Sequence, residues 1–339
     1  MIDATISPPA ARLGPPAAAR LSPDRLSPDH YEARPLPSAV AAFASDPDTL
    51  PPGSAGKVAI LELAFGPVGG RTELLRHYQK SPLQIMRPLY FDPALPDLAI
   101  VFAMTTGGGM VQGDRYRIDA VCEPGSRLHL TTPGATKVMR MDADYATSAV
   151  NLTVGAGGLL EYLPDAIIPC VGSRSYHRTR VTVAEGATAI VGETIRAGRL
   201  AHGERHVYDV LATDLEIQRP DGTPLVLDRI SLEPGAQPGS IAGPGLLGGD
   251  DQLASLHVVS DAAPADAIAD ALHDALLGAP VRWGVSTLPG DCGAWVRLLG
   301  SSSPALDRAM RAAWDAARGL LVGAPAPRLR KSTTFLLDD

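Results

Sequence analysis

Three segments of the chain echo one another: AVCEPGSRLHL over 120–130, TVGAGGLLEYL over 153–163 and TVAEGATAIVG over 182–192. Each reads as an alternating apolar and polar run, a glycine turn (Gly125, Gly157 or Gly186) and a second run. Alternation with a period of two places successive side chains on opposite faces of a strand. A repeat of about 30 residues falls where supersecondary units stack, each covering the apolar face of its neighbour. The expected fold is therefore mainly β, a β-helix or solenoid-like stack of short strands. A sandwich or barrel has a similar turn frequency and stays open as an alternative. Strand patterning begins after Lys57 with VAILELAF and continues through ERHVYDVLATDLEIQRPDG and TPLVLDRISLEPG, which end in the turn pairs Asp221-Gly222 and Pro234-Gly235.

Only late in the chain does the period change. In APADAIADALHDALLG, Ile268, Leu272 and Leu276 recur every four residues and Gly278 supplies a stop. In SPALDRAMRAAWDAARGLL, Ser303 is expected to cap a helix whose apolar stripe is Leu306, Met310, Trp314, Ala317 and Leu321, with Arg308, Arg311 and Arg318 on the opposite side. This predicts a small C-terminal helical part. The chain divides into an N-terminal tail over 1–56 and a single domain over 57–339, β-rich over 57–260 and helical or mixed over 261–339. The tail is rich in Pro, Ala and Ser, contains the tandem RLSPD-RLSPD, and is expected to be disordered. It has no apolar core of a signal peptide, and its prolines break any amphipathic targeting helix.

Composition excludes several partners. A formal net charge of −7 and a pI near 5.6 argue against a non-specific grip on nucleic acid or anionic membranes, which needs excess Lys and Arg on one face. No stretch approaches the roughly 20 apolar residues that span a bilayer. Cys122, Cys170 and Cys292 are odd in number and make no C-x-x-C pair, so they read as reduced, buried thiols of a cytoplasmic protein.

Chemical motifs are few. TTGGGMVQGD over 105–114 carries Gly107, Gly108, Gly109 and Gly113, but Asp114 stands where a Walker loop has lysine and would repel phosphate. The dinucleotide pattern fails too, because Gln112 occupies the last glycine position and a strand follows. The four glycines are read as a structural turn. HGERH over 202–206 reads as a solvated turn rather than a metal face. No G-x-S-x-G elbow exists. Glu161 in LLEYLP and Glu193 in IVGETI sit inside apolar strands, where a carboxylate must face water or be paired.

Taken together, TTGGGMVQGD, GSRLHLTTPGATKVMR, LLEYLPDAIIP and VGETIRAGRLAHGE resemble, in order and spacing, the run that marks urease accessory protein D, the UreD or UreH family. The likeness covers roughly 57–330. That family usually reads tPGGG-x-x-GGD, TT-x-x-x-TK-x-YR, LEWLP and GR-x-x-x-GE. Here Thr106, Gln112, Met139 and Tyr162 replace a proline, a glycine, a tyrosine and a tryptophan, departures of a divergent member.

The resemblance implies a non-enzymatic chaperone that joins urease apoprotein to the F-type adaptor and the nickel-supplying G-type GTPase. It also implies an internal passage for the metal, with no tightly bound cofactor and nickel only in transit. Asp114, Glu161, Glu193 and Glu204 lie in the matched segments and are the candidate passage or interface residues; Lys137, Arg140 and Arg199 are their candidate charge partners. The late helices and the basic PAPRLRK stretch are the candidate surface for the adaptor. Two rivals are a carbohydrate-active β-helix enzyme, which needs an acid pair at working distance, and a purely structural solenoid.

Overall fold

The computed structural model describes residues 23–45, 56–235, 241–329 and 331. The expectation of a disordered tail therefore lies outside the described residues for 1–22 and 46–55. For 23–45 it is corrected. This stretch is an ordered strap with the short helices α1 (Pro28–Tyr31) and α2 (Ser38–Ala41). Helices this short owe their order to what they pack on. Ala33 and Val40, both buried, join Leu36 and Phe43 against Tyr145, Ala149, Tyr176, Val210 and Ala212 of the body. Arg25 also pairs with Glu62 at 2.6 Å.

The body opens with a hairpin, β1 (Val58–Val68) and β2 (Arg71–Lys80), followed by the short strands β3 (Leu83–Gln84), β4 (Ala99–Phe102) and β5 (Met104–Thr105). Three coils follow. The first holds β6 (Arg115–Cys122), β7 (Arg127–Thr131) and β8 (Thr136–Val138). The second holds β9 (Ala146–Val154), β10 (Leu159–Tyr162) and β11 (Ile167–Pro169), and the third β12 (Arg174–Val183) and β13 (Thr188–Arg196). The three echoing segments are the corners of these coils: Gly125, Gly157 and Gly186 have φ of 73°, 67° and 70°. Then come β14 (Val210–Gln218), β15 (Pro224–Leu232), β16 (Gln252–Ser260), α3 (Ala265–Leu276), β17 (Arg282–Thr287), β18 (Gly293–Gly300) and α4 (Ser303–Val322).

The coils build two facing sheets. One runs β15-β14-β12-β9-β6-β1-β2, the other β17-β18-β16-β13-β10-β7-β4. Pairing is parallel from β1 to β14 and from β4 to β13, and antiparallel beyond. This is the solenoid-like stack expected from the repeat. Leu61, Leu152 and Val181 of the first sheet and Leu128, Leu160 and Ala189 of the second share one core between the sheets. On the second sheet's other face, Ile190, Leu256 and Val258 pack against Ile268 and Leu272 of α3 and Trp314 of α4. Each fully buried aliphatic side chain here is worth about 1.5–3 kcal/mol relative to exposure.

Helix α4 departs from its expected details in two respects. Its cap is Ser302, whose hydroxyl accepts from the Ala305 N–H at 3.4 Å, while Ser303 donates instead to Gln252. Arg318 is not on the solvent side. Four residues after Trp314, it continues the inward row and is 0% exposed.

The second sheet has a gap. Strand β13 pairs with β10 up to Val191 and with β11 again only at Ile195. Between them the loop 163–166 swings away, and Gly192, Glu193 and Thr194 lack a neighbour on that side.

Candidate functional site

Between the sheets, beside this gap, lies a cavity of about 100 Å³. One wall follows from strand register: Tyr116, Ser148 and His177 line it as direct neighbours on β6, β9 and β12, and Thr213 of β14 continues the row beyond them. In-register parallel strands turn a polar residue at the same position of each coil into a continuous row. The facing wall contributes Tyr162 and Glu193. Glu193 accepts a hydrogen bond from the Thr213 hydroxyl at 2.9 Å. Burial pushes its pKa up to about 7, so it exchanges a proton near neutrality. Burial has the opposite sign for His177, held down to about 4 and therefore a neutral imidazole at pH 7.

Polar groups continue past Glu193. It stands in register with Ser255 of β16, which stands in register with Arg297 of β18. Arg297 pairs with Asp228 at 2.7 Å, and His257 lies 3.6 Å from the same carboxylate. The interior thus offers oxygen and neutral nitrogen donors. Cys122, Cys170 and Cys292 are free and buried, and none of the three lines the cavity. Such a set suits a borderline divalent cation held weakly, whereas thiolates would retain it.

The sequence candidates separate. Glu193 alone of the four acids lines the cavity. Asp114 is a loop anchor: its carboxylate accepts from the Lys57 and Val111 amides at 2.9 and 3.0 Å and from the Tyr116 hydroxyl at 3.1 Å. Glu161 points to the opposite face of the second sheet, under α4. There it is sealed at 0% exposure, meeting His129 Nδ1 at 2.8 Å, Trp314 Nε1 at 3.1 Å and Arg318 Nε at 3.2 Å. Arg318 in turn holds Asp92 at 2.7 Å. Glu161, a passage or interface candidate from the sequence, therefore does not line the cavity, because the sheet itself stands between the two. The same placement removes Glu161 and Glu193 as a glycosidase pair, since they share no cleft.

Glu204 is at the outer surface with Arg199 as expected, Arg199 Nε to Oε2 at 2.8 Å, and that contact lowers its pKa. The expected pairing of Arg140 with these acids is corrected: it is exposed and lies 3.2 Å from Asp142. Lys137 is exposed on the rim of a mouth of about 190 Å³ that Gly107, Gly108 and Gly109 also line. The glycines differ in their reasons. Gly109 has φ 155°, and a Cβ there would sit 2.7 Å from the Lys137 carbonyl oxygen; Gly113 has φ 76°, with a Cβ 2.9 Å from Gly56 Cα. Gly108 borders open space, and a Cβ at Gly107 would meet only the Gly109 carbonyl oxygen at an ordinary 3.7 Å.

Sequence reasoning missed His177 and Asp165. His177 was findable, because in RSYHRTRVTV it shares the parity of Val181 and Val183 and so points inward with them. Asp165 sits in the loop that opens the gap, a property of pairing that no single strand displays.

One further grouping has metal-ligand composition: His30, Glu62 and Asp119, the only such group among the described residues. Both carboxylates are already engaged, Glu62 by Arg25 and Asp119 by Arg117 and Asn151. Those guanidinium charges oppose a cation.

No helix among the described residues is long and apolar enough to cross a membrane. A family model described as UreD urease accessory protein matches residues 57–332. Urease accessory protein UreD 2 of Streptomyces griseus is 56% identical over 292 residues, covering 86% of this chain and 100% of that protein. UreD 2 of Brucella suis is 34% identical over 291 residues, 85% and 96% of the two chains, and UreD 3 of Methylorubrum populi is 37% identical over 289 residues, 84% and 92%.

Proposed function

The chain belongs to the UreD urease accessory protein family, and from that premise we propose that it serves urease maturation as a non-catalytic conduit and scaffold. Its cargo is nickel in transit, and its partners are urease apoprotein, the F-type adaptor and the G-type GTPase, met in the cytoplasm. The observation that carries the conduit reading is Glu193, a cavity-lining carboxylate opposite a neutral histidine and a row of hydroxyls. Ni²⁺ entering protein must keep its water or exchange it for oxygen and nitrogen donors at each step. A carboxyl group titrating near 7 can trade its proton for the ion and take it back on release. The mouth at Gly107–Gly109 supplies one entrance to that interior, since Thr105, Met110, Tyr116, Thr132 and Thr136 line both spaces.

The test is Glu193→Gln, which keeps the shape and removes the titrating charge. Urease co-expressed with this variant should carry several-fold less nickel by elemental analysis, while the variant still co-purifies with the apoprotein. Undiminished nickel content would refute the conduit. For the adaptor, the exposed side of α4 is the proposed surface, with Arg308 and Arg328 presenting positive charge to an acidic partner. Because α4 also completes the core, Arg308→Glu is the informative change rather than deletion of the helix. Loss of adaptor co-purification is expected; unaltered recovery rejects that surface.

A further inference from the structure

The gap in the second sheet is a window. Pro164, Asp165, Gly192 and Thr194 line both the interior cavity and a groove of about 170 Å³ beneath α4. Gly192 keeps the wall thin, since a Cβ there would lie 2.7 Å from Leu163 Cδ2. Across this window Asp165 meets Lys331, whose ammonium lies 3.1 Å from the carboxylate and also donates to the Thr131 hydroxyl. Thr132 is bound to Asp165 as well: its hydroxyl accepts from the Asp165 amide at 2.9 Å and lies 3.5 Å from the carboxylate. The Lys331 side chain is 13% exposed, and its ammonium is 5.9 Å from the centre of the Phe102 ring.

The residue type matters. Lys57, Lys80, Lys137 and Lys331 are the only lysines among the 30 basic residues of the chain. At Glu62, Asp119, Asp209, Glu216 and Asp228 the carboxylates pair instead with arginines. Arginine grips a carboxylate with a planar fork, whereas an ammonium is a compact point charge that takes oxygen donors from any side. It resembles a metal ion in what it asks of its surroundings.

We propose that Asp165, with the hydroxyls of Thr131 and Thr132, is a cation site at the window, that the chain's own Lys331 is its resident occupant, and that a divalent metal ion leaving the interior takes its place. The proposal rests on the conduit reading for its direction of travel, though not for the site itself. Beyond the window the groove offers Asp307 as a second acid, 3.3 Å from Arg196.

The site is tested with the full chain and Ni²⁺ alone. In equilibrium dialysis, Lys331→Ala should bind one Ni²⁺ about tenfold or more tighter than wild type, as expected when a competing internal cation is removed. The double variant Asp165→Asn with Lys331→Ala should lose that gain. No gain in the single variant, or a gain that survives in the double, overturns the proposal. Lys331→Met retains the aliphatic stem and serves the same comparison should the alanine variant lose its fold. Amine acylation followed by peptide mass spectrometry reads displacement directly, with Lys57, Lys80 and Lys137 as internal references. Saturating Ni²⁺ should raise modification of Lys331 relative to those three, and an unchanged ratio rejects displacement. These binding results stand apart from urease loading by Glu193→Gln, so failure of the conduit and failure of the site are distinguishable.

Discussion

Glu161→Ala is predicted to cost stability and to leave the metal route intact. Two hydrogen bonds and an ion pair converge on this carboxylate: His129 Nδ1 at 2.8 Å, Trp314 Nε1 at 3.1 Å, and the Arg318 guanidinium, with Nε at 3.2 Å. Burial holds the His129 pKa low, so the ring is neutral and presents its Nδ1–H to the acid. Removing the acid leaves Arg318, 0% exposed, with Asp92 as its remaining carboxylate, and strands the indole and imidazole N–H groups. Breaking a buried pair from one side costs about 3–5 kcal/mol, and each orphaned donor about 1–3 kcal/mol. The contributions share partners and do not add, so about 4 kcal/mol is a fair total. For a domain of this size that corresponds to a fall in Tm on the order of 10 °C. Glu161→Gln keeps an acceptor oxygen and should lose roughly half as much. The assay is calorimetric melting of both variants, with nickel content of co-expressed urease measured well below the transition. If Glu161→Ala melts within about 2 °C of wild type and yet abolishes nickel loading, the assignment of Glu161 to the packing face is wrong.

Glu193 predicts a pH signature. Its folded pKa near 7 exceeds the ordinary carboxyl value, so the folded state keeps a proton that the unfolded chain has released. The Glu193 contribution to stability is therefore greatest below about pH 4.5 and declines by on the order of 2–3 kcal/mol as pH rises to about 7. Urea titrations of Glu193→Gln should lack this decline; an identical pH profile counts against a desolvated carboxyl. Gly109→Ala should cost about 1–3 kcal/mol in urea unfolding, since the backbone is left-handed and the added methyl strikes the Lys137 carbonyl. Val40→Asp places a charge where the native residue is 0% exposed. Limited proteolysis should then cut within the strap and leave the body, 57–332 of which is the family match, folded; global unfolding would show that the strap belongs to the core.

The coils were legible because their two periods are simple. Alternation declared the strands, and Gly125, Gly157 and Gly186 marked corners that only a left-handed residue turns easily. The opposite fates of Glu161 and Glu193 were not legible. Alternation tells inside from outside only when one face is wet, and the second sheet is covered on both, by the first sheet and by α3 and α4. Arg318 was misplaced for a related reason: an apolar stripe assigns charge to solvent, and only tertiary partners such as Asp92 reverse that. The strap's order came from the apolar surface it lies on, which its own composition does not report. Asp165 and Lys331 are 166 positions apart, a juxtaposition that local patterning does not encode.

The row Tyr116, Ser148, His177, Thr213 has a spacing that side chains do not choose. Adjacent strands lie about 4.8 Å apart because the ladder of amide bonds sets that interval. Polar groups along that row therefore recur at a fixed stride. Point substitutions change what is offered at each step but cannot alter the step itself. Only gain or loss of a whole coil would do that, which makes the number of repeats a dimension of the interior.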